Sequence, residues 1–190
     1  MINTLVTILI PSNNTLEGLK STLNSILLQT KIRGVSVIIL DYGSNDGSVQ
    51  YAVQASSDFY RTIKIECLDF KEKNPQFGVY TPYCFWVSPG VVLEDRDFLM
   101  DEINRNIITN KSCAYTIDNT KTFFKSFFPH YYINKGQMEI TSVLCKNTER
   151  SMVKNVKNGD FFNFLIDNRI SRKNYRISKA RIKKSSIFFY

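Results

Sequence analysis

Three stretches carry side chains of types and spacings that could do chemistry. "DYGSNDGS", residues 41–48, sets two carboxylates, Asp41 and Asp46, among Gly, Ser and Asn. A carboxylate in such a turn accepts N–H groups in charge-assisted bonds, from its own backbone or from a ligand. "PSNNT", residues 11–15, adds side chains able to hydrogen-bond a nucleotide. "FWVSPGVVLEDRDFL", residues 85–99, joins an apolar run, a Pro-Gly turn and an acidic segment. Many enzymes hold a metal at such a strand edge, yet Ser88-Pro89-Gly90 carries no carboxylate. Asp95-Arg96-Asp97 has the D-x-D spacing of a hard divalent-cation site. It lies past the turn, where the helix dipole favours acids, and so reads as a helix start. The lone His130, in "FFPHYY", reads as a packing or surface residue.

The hydrophobic pattern predicts the elements that position these residues. "TLVTILI" (4–10) is a β-rich apolar run and predicts a buried strand that breaks at Pro11. Leu16, Leu19, Leu23, Ile26 and Leu27 then fall at helical spacing, with Thr15 or Asn14 as cap. "GVSVIIL" is a second buried strand, followed by a helix over about 47–57 with Ser44 or Asn45 as cap. "TIKIECLDF" is a third strand, and strand–helix–strand–helix–strand order predicts a parallel sheet with helices on its faces. Ligands of such sheets sit beyond the carboxyl ends of the strands, which is where "PSNNT" and "DYGSNDGS" fall. "YTPYCFWV" (80–87) is a fourth strand that delivers Ser88-Pro89-Gly90 to the same rim, before a helix in "EDRDFLMDEINRNI". Downstream, "SCAYTI" and "TSVLCK" read as strands, "NTERSMVKNV" and "NGDFFNFLIDNRI" as helices, and "NYRISKARI" as a last edge strand. "TFFKSFFPHYYINKGQ" is an aromatic-rich connection with no assignment.

A chain of 190 residues, 43% apolar and 22% charged, suits one globular domain. We divide it into residues 1–100, residues 101–168 and a basic tail over 169–190. The apolar run after the N-terminal Met lacks a basic leader and is too short for a signal peptide or a membrane span. Cys67, Cys84, Cys113 and Cys145 are widely spaced with no CxxC pair, which points to free buried thiols and a cytoplasmic setting. The sequons at Asn13 and Asn110 then carry no glycan. Charge is divided unevenly. Residues 1–100 hold 8 Lys/Arg against 10 Asp/Glu, a net of −2, and residues 101–190 hold 17 against 7, a net of +10. Residues 169–190 have eight basic residues and no acid. Such a segment usually meets an anionic partner or stays solvated.

Taken in order, the motifs resemble the opening of family 2 glycosyltransferases of the GT-A fold. That family runs strand, P-x-x-N, a helix ending S-[IL]-x-x-Q-T, a second strand, then D-[DY]-G-S-x-D-G-[ST]. Pro11, Asn14, Ser25, Ile26, Gln29, Thr30, Asp41, Gly43, Ser44, Asp46, Gly47 and Ser48 fit it. The resemblance covers about residues 4–50 closely, 80–103 less so, and 140–178 only in outline. It implies a nucleotide-binding half over 1–100, an acceptor-side half over 101–168 and a UDP-type nucleotide sugar as donor. Asp41 would accept the uracil N3–H, and Pro11, Asn14 and Ser44 would border base and ribose. Turn chemistry and helix capping remain alternative explanations of these residues. For Asp46, the turn alone is explanation enough.

The resemblance also implies a divalent cation held by a D-x-D pair, neutralising the diphosphate as the glycosyl bond breaks. Aligning Val92-Leu93 with the end of the family's strand puts Ser88 and Gly90 at the two carboxylate positions. A hydroxyl and a bare backbone cannot replace hard anionic ligands, which argues against bound manganese or magnesium. The family's segment near the diphosphate is also shortened here to "KEKNPQFGVYTPY", where Lys71 and Lys73 read as surface residues. A general base is expected at the start of a late helix, usually from an [ED]-D pair. "NGDFFNFLIDN" matches it with Gly159 in place of the first acid, leaving Asp160 as candidate base or simply as N-cap.

Three readings follow. One is a transferase that works without a D-x-D metal, using Lys, Arg or helix N-termini instead. The second is a catalytically inactive GT-A domain that binds a ligand or serves as a partner subunit. The third is a surface binder acting through residues 169–190, for which an anionic membrane or a lipid-linked or saccharide acceptor fits better than nucleic acid.

Overall fold

The computed structural model describes residues 4–29, 34–59, 63–69, 79–93, 95–109, 112–118, 138–146, 175–179 and 182–184. Strand β1 (Val6–Ser12) is buried along its whole length, and β2 (Val35–Asp41) along all but Ser36. Continuous β-branched and Leu runs suit strands covered on both faces, as in parallel sheets. Helix α1 (Leu16–Leu27) joins them, α2 (Ser48–Phe59) leads to β3 (Lys64–Asp69), and β4 (Tyr83–Val87) is again buried throughout. A short β5 (Val91–Leu93) and helix α3 (Phe98–Thr109) follow. Next come β6 (Ser112–Asp118), β7 (Met138–Lys146), β8 (Tyr175–Lys179) and β9 (Ile182–Lys184).

The main sheet has seven strands in the order β3-β2-β1-β4-β7-β6-β8. β3, β2, β1 and β4 run parallel, β7 is antiparallel to both β4 and β6, and β8 is parallel to β6. β5 pairs antiparallel with β9 in a separate two-stranded sheet. The chain steps outward from β1 to β2 and β3, then returns to the other side of β1 with β4. That reversal makes the β1/β4 boundary the switch point at which open α/β sheets leave a crevice.

The core lies between sheet and helices. Ile8, Ile10, Val37, Ile39 and Phe85 from the strands meet Leu19, Leu23 and Ile26 of α1 and Phe98 of α3. Burying each such side chain contributes about 1.5–3 kcal/mol. The Phe85 and Phe98 rings pack tilted, with centroids 6.1 Å apart. The buried stripe of α1 follows the expected period but includes two polar residues, Thr22 and Ser25.

The mainly parallel α/β architecture matches the sequence expectation, with four corrections in detail. Strand β1 continues through Pro11 and Ser12 instead of ending at Ile10, because both pair in register with β2. β5 intervenes before α3, which starts at Phe98, so Asp95-Arg96-Asp97 forms the turn ahead of the helix. The basic segment contributes two strands, β8 and β9, where one was expected. The helix caps also differ, as described below. The expected helices in 147–156 and 158–170, the aromatic connection, Lys71, Lys73, His130 and Asp160 lie outside the described residues. No helix among the described residues is long and apolar enough to cross a membrane.

Candidate functional site

Because β1, β2 and β4 run parallel, their carboxyl ends share one rim. The register sets Ser12 opposite Asp41, and Leu9 opposite Trp86 one residue before Val87. Three loops leave this rim: 12–15, 41–48 and 88–90. They bring together the predicted site residues Pro11, Asn14, Asp41, Ser44, Ser88 and Gly90.

Asp41 ends β2 and is 3% exposed. Its Oδ2 accepts the backbone N–H groups of Gly43 and Ser44, both at 2.9 Å, and its Oδ1 accepts the Ser44 hydroxyl at 2.5 Å. A carboxylate offers about four lone-pair sites, and the turn accounts for three. Asp41 thus builds the loop that follows it before it does anything else.

The first two loops are zipped to each other. The Asn14 N–H donates to Ser44 Oγ at 2.9 Å, and Asn14 Oδ1 accepts the Asn45 N–H at 2.8 Å. Asn14 adopts φ 51°, a left-handed conformation that Asn tolerates better than most residues. Below it, Ser12 is fully buried and shares a 3.1 Å hydroxyl–hydroxyl bond with Thr15. The Tyr42 N–H reaches the Ser12 carbonyl at 2.8 Å, continuing the β1–β2 pairing into the rim.

Asp46 does what Thr15 or Asn14 was expected to do for α1 and Ser44 or Asn45 for α2. Thr15 occupies the N-cap position of α1 but makes no side-chain cap bond. Instead Asp46 Oδ2 accepts the Leu16 N–H at 2.8 Å, while Oδ1 accepts the Ser48 N–H and hydroxyl at 3.0 and 2.6 Å. One carboxylate therefore caps the starts of both α1 and α2. Partial burial pushes its pKa up, but the bonds from the Ser48 hydroxyl, Leu16 N–H and Ser48 N–H outweigh this and hold it below the usual carboxyl value.

The third loop is fixed by α1. Pro89 followed by Gly90 at φ 86°, with the Val91 N–H reaching the Ser88 carbonyl at 3.3 Å, is a type II turn arrangement. Gly90 N–H donates to the Gly18 carbonyl at 3.0 Å. A Cβ on Gly18 would lie 2.9 Å from Gly90 N and 3.2 Å from Pro89 C, so only glycine admits this approach. Farther along α1, Ser25 Oγ accepts the Leu93 N–H at 3.1 Å. Gln29 Oε1 accepts the Leu99 N–H at 3.1 Å, and its Nε2 donates to the Asp95 carbonyl at 3.0 Å. Ser25 in α1 and Gln29 just beyond its end thus clamp the segment from Leu93 to Leu99 against the helix.

This site does not fit a D-x-D metal. Ser88 offers a hydroxyl and Gly90 no side chain, and Gly90 holds a positive φ that a carboxylate-bearing residue adopts only with strain. Among the described residues, no cluster of three or more His, Cys, Asp or Glu could hold a metal ion. The three rim loops contain two carboxylates and no Lys or Arg.

No protein-family model matches the sequence, and no curated protein is significantly similar to it. Solved structures match in fold. Staphylococcus aureus TarS 1-349 superposes with a TM-score of 0.58 at 13% identity, covering 94% of this chain and 58% of that one. TarS 1-349 in complex with UDP gives 0.58 at 12% identity, with the same coverage. TarS 1-349 in complex with UDP-GlcNAc gives 0.56 at 12% identity, covering 98% and 62%. The chain spans less than two thirds of each of these structures. The fold is that of GT-A glycosyltransferases.

Proposed function

We propose that this chain is a nucleotide-sugar-binding GT-A domain of the family 2 type, which takes a UDP-type donor and transfers its sugar without a D-x-D-bound metal. The observation that carries this reading is the convergence of loops 12–15, 41–48 and 88–90 at the switch point of the sheet. Support also comes from the TarS structures that hold UDP and UDP-GlcNAc. In this reading Asp41 meets the base edge beside Pro11, Asn14 and Ser44. Residues 1–100 form the donor half and 101–168 the acceptor half, with Asp160 deprotonating an acceptor hydroxyl. A lipid-linked or saccharide acceptor is in keeping with the cationic second half.

The test is donor binding to the full chain. UDP or UDP-GlcNAc at a hundredfold excess over Kd should add about 2.7 kcal/mol of stability. It should raise Tm by several degrees without manganese, and Asp41→Ala should abolish the shift. No shift with any nucleotide, with or without manganese, would sink the proposal.

A second reading, a non-catalytic partner subunit, is favoured by one observation. Gly90, at a carboxylate position of the family motif, is held at positive φ by its bond to Gly18. Release of UDP from the bound donor separates the two. Turnover lost in Asp160→Asn with UDP binding retained supports the enzyme, whereas binding with no turnover in the wild type supports the subunit.

A further inference from the structure

Ser44 sits where loops 12–15 and 41–48 meet, and its hydroxyl proton is already taken. The hydroxyl donates to Asp41 Oδ1 at 2.5 Å, and Ser44 Oγ accepts the Asn14 N–H at 2.9 Å. A hydroxyl carries one proton, so Ser44 has none left to offer a ligand. Asn14 is committed in the same way. Its Oδ1 accepts the Asn45 N–H at 2.8 Å and its Nδ2 donates to Asn13 Oδ1 at 3.3 Å. Its backbone, at φ 51°, presents the N–H to Ser44. The result is a relay from the amide of Asn14, through the hydroxyl of Ser44, to the carboxylate of Asp41.

The consequence falls on Asp41. Its Oδ2 is held by two backbone N–H groups, and its Oδ1, among the described residues, by the Ser44 hydroxyl. An O–H bond to a carboxylate at this distance is of the strong, charge-assisted kind. Asp41 is also 3% exposed and stands at the end of β2, in register with Ser12. Three bonds and burial leave the carboxylate no freedom to turn toward a ligand. Of its about four lone-pair sites one remains, on Oδ1. The Ser44 proton, on the same oxygen, decides where that site points.

Resting on the donor-site reading above, we propose that Ser44 is a positioning residue for the donor base. It touches no part of the nucleotide, and it fixes the Asp41 Oδ1 acceptor at which a single ring N–H of the base is read. Such a site selects a base edge with a donor there, as in uracil, against one with a bare ring nitrogen, as in cytosine. An acceptor set against an acceptor leaves both unpaired, which is the costly case for buried polar groups. Without the Ser44 proton, Oδ1 is free to turn, and the selection weakens although Asp41 is still present.

The experiment compares UDP, UDP methylated at uracil N3, and 2′-deoxy-UDP by calorimetry on the full chain, for wild type, Ser44→Ala and Ser44→Thr. Wild type should bind UDP roughly tenfold or more tightly than the N3-methyl compound. Ser44→Ala should lose roughly fivefold to tenfold of UDP affinity and leave the N3-methyl compound unchanged. Ser44→Thr keeps the hydroxyl at a position without positive φ, and should restore the difference. The ratio of UDP to 2′-deoxy-UDP should be the same in all three proteins. Circular dichroism confirms that each variant is folded; should the alanine variant not fold, Ser44→Cys, whose thiol is a weak donor, carries the comparison. An N3-methyl discrimination that survives in Ser44→Ala, or a loss shared equally by both compounds, overturns this inference and leaves the donor site standing. So does a changed 2′-deoxy ratio, which would make Ser44 a ribose contact. Wild type that binds no UDP, or does not distinguish it from the N3-methyl compound, overturns the reading of Asp41 as well.

Discussion

The amide of Gly90 donates to the carbonyl of Gly18 at 3.0 Å, joining the turn after β4 to the first half of α1. This bond fixes where the turn sits on the rim, and the absence of a side chain at Gly18 makes it possible. The helix that connects β1 to β2 therefore also serves as the template for the segment across the switch point. Ser25 and Gln29 extend the same template through β5 to the start of α3.

Gly18→Ala should destabilise the protein although alanine is the better helix former. The added Cβ would stand 2.9 Å from Gly90 N and 3.2 Å from Pro89 C and Cβ. Two of these atoms are backbone, which cannot move aside cheaply. Overpacking of this kind costs about 1–3 kcal/mol and exceeds a propensity gain of about 0.5–1 kcal/mol. Urea unfolding should show a lower midpoint at unchanged slope; a midpoint equal to or above wild type would contradict the close approach.

Gln29→Ala should cost about 1–3 kcal/mol, because it strands the buried Leu99 N–H. Amide exchange is the specific readout. Protection of the Leu99 N–H should fall far more than that of the β1 and β2 amides, and uniform loss would mean that Gln29 acts only through global stability.

Asp46 gives a signed pH dependence. Its carboxyl is held below the ordinary 3.8, so the ionised form is favoured by folding. A depressed folded pKa contributes stability that is complete above the unfolded value and lost as pH falls through the folded one. The wild-type melting temperature should therefore decline below about pH 4 with a component that Asp46→Asn removes. At neutral pH, Asp46→Ala should cost about 1–2 kcal/mol as a lost helix cap. Parallel Tm–pH curves for wild type and Asp46→Asn would refute the assignment.

Cys67 should be a slow nucleophile. Burial, and then the negative charges of Asp41 and Asp69, push its thiol up to about 11. The thiolate is the reactive form, and at pH 8 its population is on the order of 0.1%. Alkylation of the Cys67 peptide, followed by mass spectrometry, should be far slower than for a free thiol and should accelerate only toward pH 10–11. Fast labelling at pH 8 would show that the site opens.

Much of the fold was legible because its signals are local. β1, β2 and β4 are short apolar runs bounded by turn residues, and α1 carries its core residues at helical spacing. β5 was missed because three residues show no period of their own, and its partner lies about ninety positions later. The caps were misread for a related reason. Thr15 has the right type and place, but the acceptor of the Leu16 N–H comes from Asp46, in the next loop. Ser25 and Gln29 could have been flagged as clamps, since they are polar residues within or just beyond a stripe that buries Leu19, Leu23 and Ile26.

By itself, the sequence determined the alternation of strands and helices, the rim on which its Asn-, Asp- and Ser-rich loops fall, and the lack of carboxylates at Ser88 and Gly90. These depend on hydrophobic period and residue type, which are properties of neighbours in the chain. Only the tertiary structure decided that Asp46 caps two helices, that Gly90 is pinned to Gly18, and that β9 pairs with β5. Orphan amides and close approaches are met by whatever group the topology brings near. Burial and register fix that meeting in space, and it leaves no period in the sequence.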